Sequence, residues 1–201
     1  MPVRLPAGLD LTSRHGLPAD LLDLLARYPR ESWAANPDLA GLAGFWLQRH
    51  QMFRELCALI GDAATRLQEG ALTPSRFRPF FQRRIGLLLG ELDEHHNVED
   101  FHYFPAFATA APKLKRGFDI LEADHHAIHG AIGALGEESE AFLAALGGAL
   151  SGKEGEIGRR TEAIAGAIRR FERNLIRHLD DEEDLVVPLI LERSRDDPDF
   201  G

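Results

Sequence analysis

Residues 157–188 read IGRRTEAIAGAIRRFERNLIRHLDDEEDLVVP, and this stretch decides the fold class. Ile157, Thr161, Ile164, Ile168, Phe171, Leu175, His178, Glu182 and Leu185 follow one another at alternating steps of four and three. At 3.6 residues per turn that spacing draws one stripe down a single side of an α-helix and leaves most of the arginines and acids on the other side. Three more segments obey the same rule. From Pro37 to Leu67 the stripe is Trp46, His50, Phe53, Cys57, Ile60, Ala64 and Leu67. A second segment opens at Thr73-Pro74 or Pro79, carries Phe81, Ile85, Leu88, Leu92, His95, Glu99 and His102, and is expected to stop near Pro105. The third runs through Phe118, Leu121, His125, Ile128 with His129, Ile132, Leu135, Phe142 and Leu146 to Gly147-Gly148. Ser151 to Glu154 forms a capping box for the last helix, whose final turns Pro188 should break or kink.

Four amphipathic helices with short connections predict an all-α fold, an antiparallel up-down four-helix bundle. The bundle spans residues 37–193. Residues 1–36 form an N-terminal extension with one short helical pattern, Leu17 to Tyr28, and 194–201 a flexible tail.

Composition narrows the function. A chain of 201 residues buries a core without staples, and its one cysteine, Cys57, neither pairs within the chain nor builds a thiolate metal site. Cys57 reads as buried packing in a protein of a reducing compartment, the cytoplasm. The net charge of −9 and the lack of a sustained basic patch argue against nucleic acid and anionic membranes as partners. No apolar run is long enough for a membrane span or a secretory signal. Gly-rich phosphate loops, nucleophile elbows and Cys-x-x-Cys pairs are absent from the sequence, so no catalytic residues are assigned.

The stripes themselves carry the chemistry. Each is interrupted by histidine: His50, His95, His125 and His178. His50 and His95 flank the Gly70–Pro74 turn at matching distances, His125 and His178 flank Gly147–Gly152, and His95 and His125 flank the Pro105–Pro112 connection. In an up-down bundle this puts all four at one height. Glu99 and Glu182 follow His95 and His178 by four residues, and His129 follows His125 by four, on the same faces. Five imidazoles and two carboxylates in a core demand neutralisation, and a pair of divalent cations supplies it. Trp46, Phe53, Leu175 and Leu179 are expected to wall this site. His96 and His126 point away by the helical offset and read as solvated or as supports behind the ligands, and the non-ligand members of the acidic run Asp180–Asp184 read as a solvated face.

The two halves repeat. His95, Glu99, Asp100 and Pro105 match His178, Glu182, Glu183 and Pro188 at identical offsets, with His50 and His125 upstream. These His-x-x-x-Glu-acid segments ending in proline resemble the hemerythrin, or HHE cation-binding, family over roughly residues 40 to 192. The resemblance implies a four-helix bundle holding two iron ions, with Glu99 and Glu182 bridging them. It further implies that His125, His129 and His178 serve one iron and His50 and His95 the other, where a coordination position stays open. Binding or sensing dioxygen is the implied role. A di-iron redox protein acting on peroxide, nitric oxide or iron is the alternative, and a structural zinc-binding bundle a further one. Zinc and manganese suit the same donors. A ferritin-like reading through Glu99–His102 and Glu122–His125 leaves His50, His95 and His178 unused.

Overall fold

Each of the four stripes becomes one long helix in the computed structural model, which describes residue 6 and residues 8–148 and 154–196. These are α3 (Leu42–Gln68), α4 (Pro74–Val98), α6 (Lys115–Gly148) and α7 (Glu154–Asp196). Shorter helices α1 (Asp23–Arg27), α2 (Arg30–Trp33) and α5 (Phe104–Ala110) complete an all-helical fold, with no strand among the described residues. The capping position Ser151 and residues 197–201 of the tail lie outside the described residues.

Prolines account for most departures from the expected boundaries. The Leu17–Tyr28 pattern splits into a 3-10 turn at Ala19–Leu21 and α1, which ends at Arg27, and Pro29 then caps α2. Pro37 opens a 3-10 turn, so α3 starts only at Leu42, after Gly41 at φ +114°. The second helix does not stop near Pro105. It opens into a π-helical turn, Glu99–Tyr103, and resumes as α5 with Pro105 in the first turn, a position that suits its fixed φ. Pro188 does not break the last helix, for α7 runs on to Asp196. Leu185 to Val187 and Leu189 to Leu191 are all 0–1 % exposed, and this all-round packing outweighs the one lost hydrogen bond.

Two compact units divide the chain, with boundaries inside α3, α4, α6 and α7. The first takes the residues up to Met52, Asn97–Ala127 and those from Asn174 on. Its apolar core joins Leu17, Leu21 and Trp33 of the N-terminal segment to Trp46, Phe104, Phe118, Leu121 and the 185–191 stretch of α7. Gly117 permits α6 to close on α7, since a Cβ there would meet Leu185 Cδ2 at 2.7 Å. The second unit, Phe53–His96 and Ile128–Arg173, is built on Phe77 stacked with Phe81 at 5.0 Å and edge-on contacts of both with Phe142. Gly70, at φ +74°, ends α3 there and allows the reversal into α4. Cys57 is buried in this unit as a free thiol, and burial pushes its pKa up to about 12.

Candidate metal centre

One turn into α3, Trp46 and His50 stand four residues apart on the face buried in the first unit, at 2 % and 0 % exposure. Glu99 opens the π turn, Asp124 and His125 come from α6, and His178, Asp181, Glu182 and Glu183 from α7; all of these are buried. Ligating atoms of His50, Glu99 and Glu182 lie within 4.8 Å of one another.

Three imidazoles share one orientation. His50 turns Nε2 toward Glu182 Oε1 (3.4 Å) and donates from Nδ1 to Glu183 (3.1 Å). His125 turns Nε2 toward Glu99 Oε2 (3.5 Å) and donates from Nδ1 to Asp100 (2.7 Å). His178 has Nε2 at 3.1 Å from Glu182 Oε2 and donates from Nδ1 to Asp124 (3.2 Å). In each case an outer carboxylate fixes the tautomer and leaves the Nε2 lone pair facing inward, as metal-bound imidazoles require. Consequently the Nε2 atoms of His125 and His178 confront each other at 3.1 Å. Two inward lone pairs at that distance need a proton or a cation between them.

The donor set of neutral imidazoles and carboxylates therefore fits divalent first-row metals. Residues 42–140 match the family model of the Hemerythrin HHE cation binding domain. Over that span the chain belongs to the hemerythrin HHE cation-binding family. No curated protein and no solved structure matches the chain. His50, His95, Glu99 and His125 fall inside the matched HHE span; His178 and Glu182, on α7, lie beyond it, and their contacts with His50, His125 and Asp124 join them to the site.

Electrostatics in this HHE site divide the two glutamates. Burial, and then the negative charge of Glu182, push Glu99 well above the usual carboxylate range. Burial acts on Glu182 in the same direction, but His50 and His178 outweigh it and hold Glu182 well below that range. Burial disfavours charge on His178 too, yet Asp124 and Glu182 raise it to about 9. His50 is raised against burial by Glu182 and Glu183, whereas burial and the nearby His178 lower His125. Protons on Glu99 and the raised imidazoles thus occupy the places that cations would take.

Several readings of the sequence need correction. His129, expected as a ligand, stands at the surface of the second unit: its side chain is 73 % exposed and its Nδ1 lies 2.7 Å from Asp93 Oδ1. Four residues of α-helix overshoot a full turn by about 40°, and in α6 the buried face runs through His125 and Ile128 and leaves His129 outside. His102 is exposed instead of core-facing, because the π turn that contains it shifts the stripe. Of the two histidines set apart by the helical offset, His96 is 5 % exposed and His126 is exposed. Asp181 and Glu183 are buried, so this part of the acidic run is not a solvated face.

Of the expected wall, Leu175 and Leu179 are buried, and Phe53 lies with its ring 5.1 Å from that of His95, which is 9 % exposed at the end of the second unit's part of α4. Trp46 does more than wall the site, for its Nε1–H donates to Glu182. Phe104, which no stripe includes, stacks on His125 at 5.3 Å. Asp100, Asp124 and Glu183, the orienting acids, likewise fall outside the stripes. Their signal is positional: two directly follow the buried glutamates and one directly precedes His125.

Proposed function

We propose that this cluster holds a carboxylate-bridged pair of iron ions and that the protein binds or senses dioxygen. The observation that carries the reading is the confrontation of the His125 and His178 Nε2 atoms with both Nδ1 atoms committed to carboxylates. His50, Glu99, His125, His178 and Glu182 would hold the ions. His95, the sequence counterpart of His178, is the further donor that the family resemblance implies. The arrangement of α3, α4, α6 and α7 as an antiparallel up-down bundle belongs to the same proposal. Among the described residues no helix is long and apolar enough to cross a membrane, and small diatomic ligands are the partners this interior suits.

Bound iron would supply a redox-active Lewis acid with affinity for dioxygen. The chain does the rest. Its outer carboxylates accept from Nδ1 and aim each Nε2 inward, Glu99 and Glu182 would balance the charge of bound cations, and Phe104, Leu175 and Leu179 keep bulk water from the interior.

The placement of His129 favours a second reading, a di-iron redox protein acting on peroxide, nitric oxide or iron. An imidazole held at the surface by Asp93 leaves one more position for a reacting molecule than the implied ligand set would. Metal analysis of freshly purified protein, then anaerobic loading with ferrous iron and exposure to air, separates these readings. A visible absorption band that appears in air and vanishes under nitrogen supports dioxygen binding. Irreversible turnover supports the redox reading, and refusal of iron with retention of zinc overturns both.

A further inference from the structure

Three orienting carboxylates stand behind the site imidazoles, and two of them are themselves held by arginines of the N-terminal segment. Arg14 is a buried guanidinium, its side chain 1 % exposed, lying before α1. It forks onto both oxygens of Asp124, with Nη1 at 2.6 Å from Oδ1 and Nη2 on Oδ2, and its Nε reaches Asp181 Oδ2 at 2.7 Å. Asp124 in turn accepts from His178 Nδ1. Arg30, on α2, stands behind His50 through a single bond to its carboxylate, without the fork. Its Nη1 lies 2.8 Å from Glu183 Oε2, while Glu183 Oε1 accepts from His50 Nδ1. Further bonds to Asp184 and to the Asp180 carbonyl tie Arg30 along α7.

We infer that Arg14 and Arg30 are positioning residues for the metal centre, acting on His178 through Asp124 and on His50 through Glu183. The N-terminal segment is then an outer layer of the site as well as a cover for apolar core. This rests on the metal reading proposed above. The physical reason lies in the fork: a planar guanidinium bonded to both oxygens fixes the carboxylate plane, and through it the ring plane and tautomer of the histidine it faces. Lysine, with a single ammonium on a flexible stem, cannot impose that plane. Arg14 also compensates two buried acids, Asp124 of α6 and, together with Arg177, Asp181 of α7. Arg30 is 40 % exposed and water competes for its bonds, so its contribution is the smaller.

Arg27 provides an internal control. It belongs to the same segment and pairs with Glu192 at 2.6 Å, yet touches no acid that holds a site imidazole. The test titrates cobalt(II) into the full chain and into Arg14→Gln, Arg14→Lys, Arg30→Gln and Arg27→Gln, reading affinity by chelator competition and geometry by the visible d–d bands. Circular dichroism certifies the fold of each variant. Arg14→Gln should weaken cobalt binding by about 10- to 100-fold and shift the d–d bands, as loss of an outer hydrogen-bond partner does at metal sites. Arg14→Lys should recover only part of the affinity, Arg30→Gln should lose less than about tenfold, and Arg27→Gln should match the parent.

Wild-type affinity and spectrum in a folded Arg14→Gln protein overturn the inference. So does an equal loss in Arg27→Gln, which would reduce the segment to a general cover. Should Arg14→Gln not fold, Arg30→Gln and Asp124→Asn carry the same comparison against Arg27→Gln. A parent chain that takes up no cobalt rejects the metal reading itself, and is recognised because that result precedes any variant.

Discussion

The two repeats, His95 to Pro105 and His178 to Pro188, present histidine, glutamate, an acid and proline at the same offsets, yet they come to opposite ends. The first loosens into a π turn at Glu99–Tyr103; the second continues as regular helix to Asp196. Glu99 is driven toward its protonated form by burial and by Glu182, while Glu182 is held ionised by His50 and His178. The acid after Glu99, Asp100, remains 25 % exposed and orients His125; the acid after Glu182, Glu183, is 4 % exposed, orients His50 and is backed by Arg30. Local sequence sets which groups arrive at the site, and the surroundings set their charge. In this chain the N-terminal segment reinforces the second repeat.

The comparison breaks most visibly at the glutamates. Glu182→Ala strips the counter-charge from two buried imidazoles and should abolish metal binding and destabilise the metal-free protein by about 3–5 kcal/mol, as removal of one partner of a buried pair does. Glu99→Gln should also lose metal, yet change metal-free stability by less than about 1 kcal/mol near pH 5, because an amide replaces a carboxyl that is already neutral. Urea unfolding of chelator-treated protein measures the difference, and equal losses would show that the two carboxyls carry the same charge.

The pH dependence sharpens the same point. A carboxyl raised above its ordinary 4.5 keeps its proton in the folded state when the unfolded chain has released it, so Glu99 withdraws stability as pH rises above 4.5. Glu182, lowered from 4.5, contributes stability above that value and loses it as pH falls through its depressed folded pKa. Between about pH 5 and pH 7.5 the stability of metal-free Glu99→Gln, read from urea unfolding, should therefore climb relative to the parent, by up to roughly 1.4 kcal/mol for each step of one in pH. A flat difference across that window would mean that Glu99 is not raised.

A smaller effect concerns His129, which stands outside both repeats. His129→Ala should leave metal content unchanged and cost at most about 1 kcal/mol, the worth of an exposed ion pair. Loss of metal would return His129 to the ligand set.

These contrasts also mark how far the sequence is readable. The stripes locate the four long helices because a 3.6-residue period is hard to mimic by accident, and the polar interruptions point to His50, Glu99, His125, His178 and Glu182 because unpaired polar groups are rare in cores. His102 and His129 depart from the pattern for two geometric reasons: a π turn interrupts the α-helix at His102, and in unbroken α6 a step of four overshoots a turn by about 40°, enough to carry His129 off the buried face. Arg14 and Arg30 are invisible in the pattern because their meaning depends on contacts across more than 100 residues, with Asp124, Asp181 and Glu183, in a segment that announces only turns and a short helix. Buried acids beside buried glutamates resemble a solvated run until their arginines are located.

The last prediction sets the two prolines against each other. Pro105 occupies the first turn of α5, where its fixed φ suits the position and no N–H is required, so Pro105→Ala should lower stability by about 0.5–1 kcal/mol through the freer unfolded chain. Pro188 sits inside α7, where proline costs about 3 kcal/mol against alanine, while the lost ring methylenes of Pro188→Ala return about 1.6 kcal/mol in the other direction. Pro188→Ala should therefore stabilise the protein by about 1 kcal/mol, opposite in sign to the change at its sequence counterpart. Thermal unfolding of the two variants at matched metal content decides it. A loss at both sites would mean that the ring of Pro188 fills a space alanine cannot, and that packing, not backbone hydrogen bonding, governs the second repeat as well.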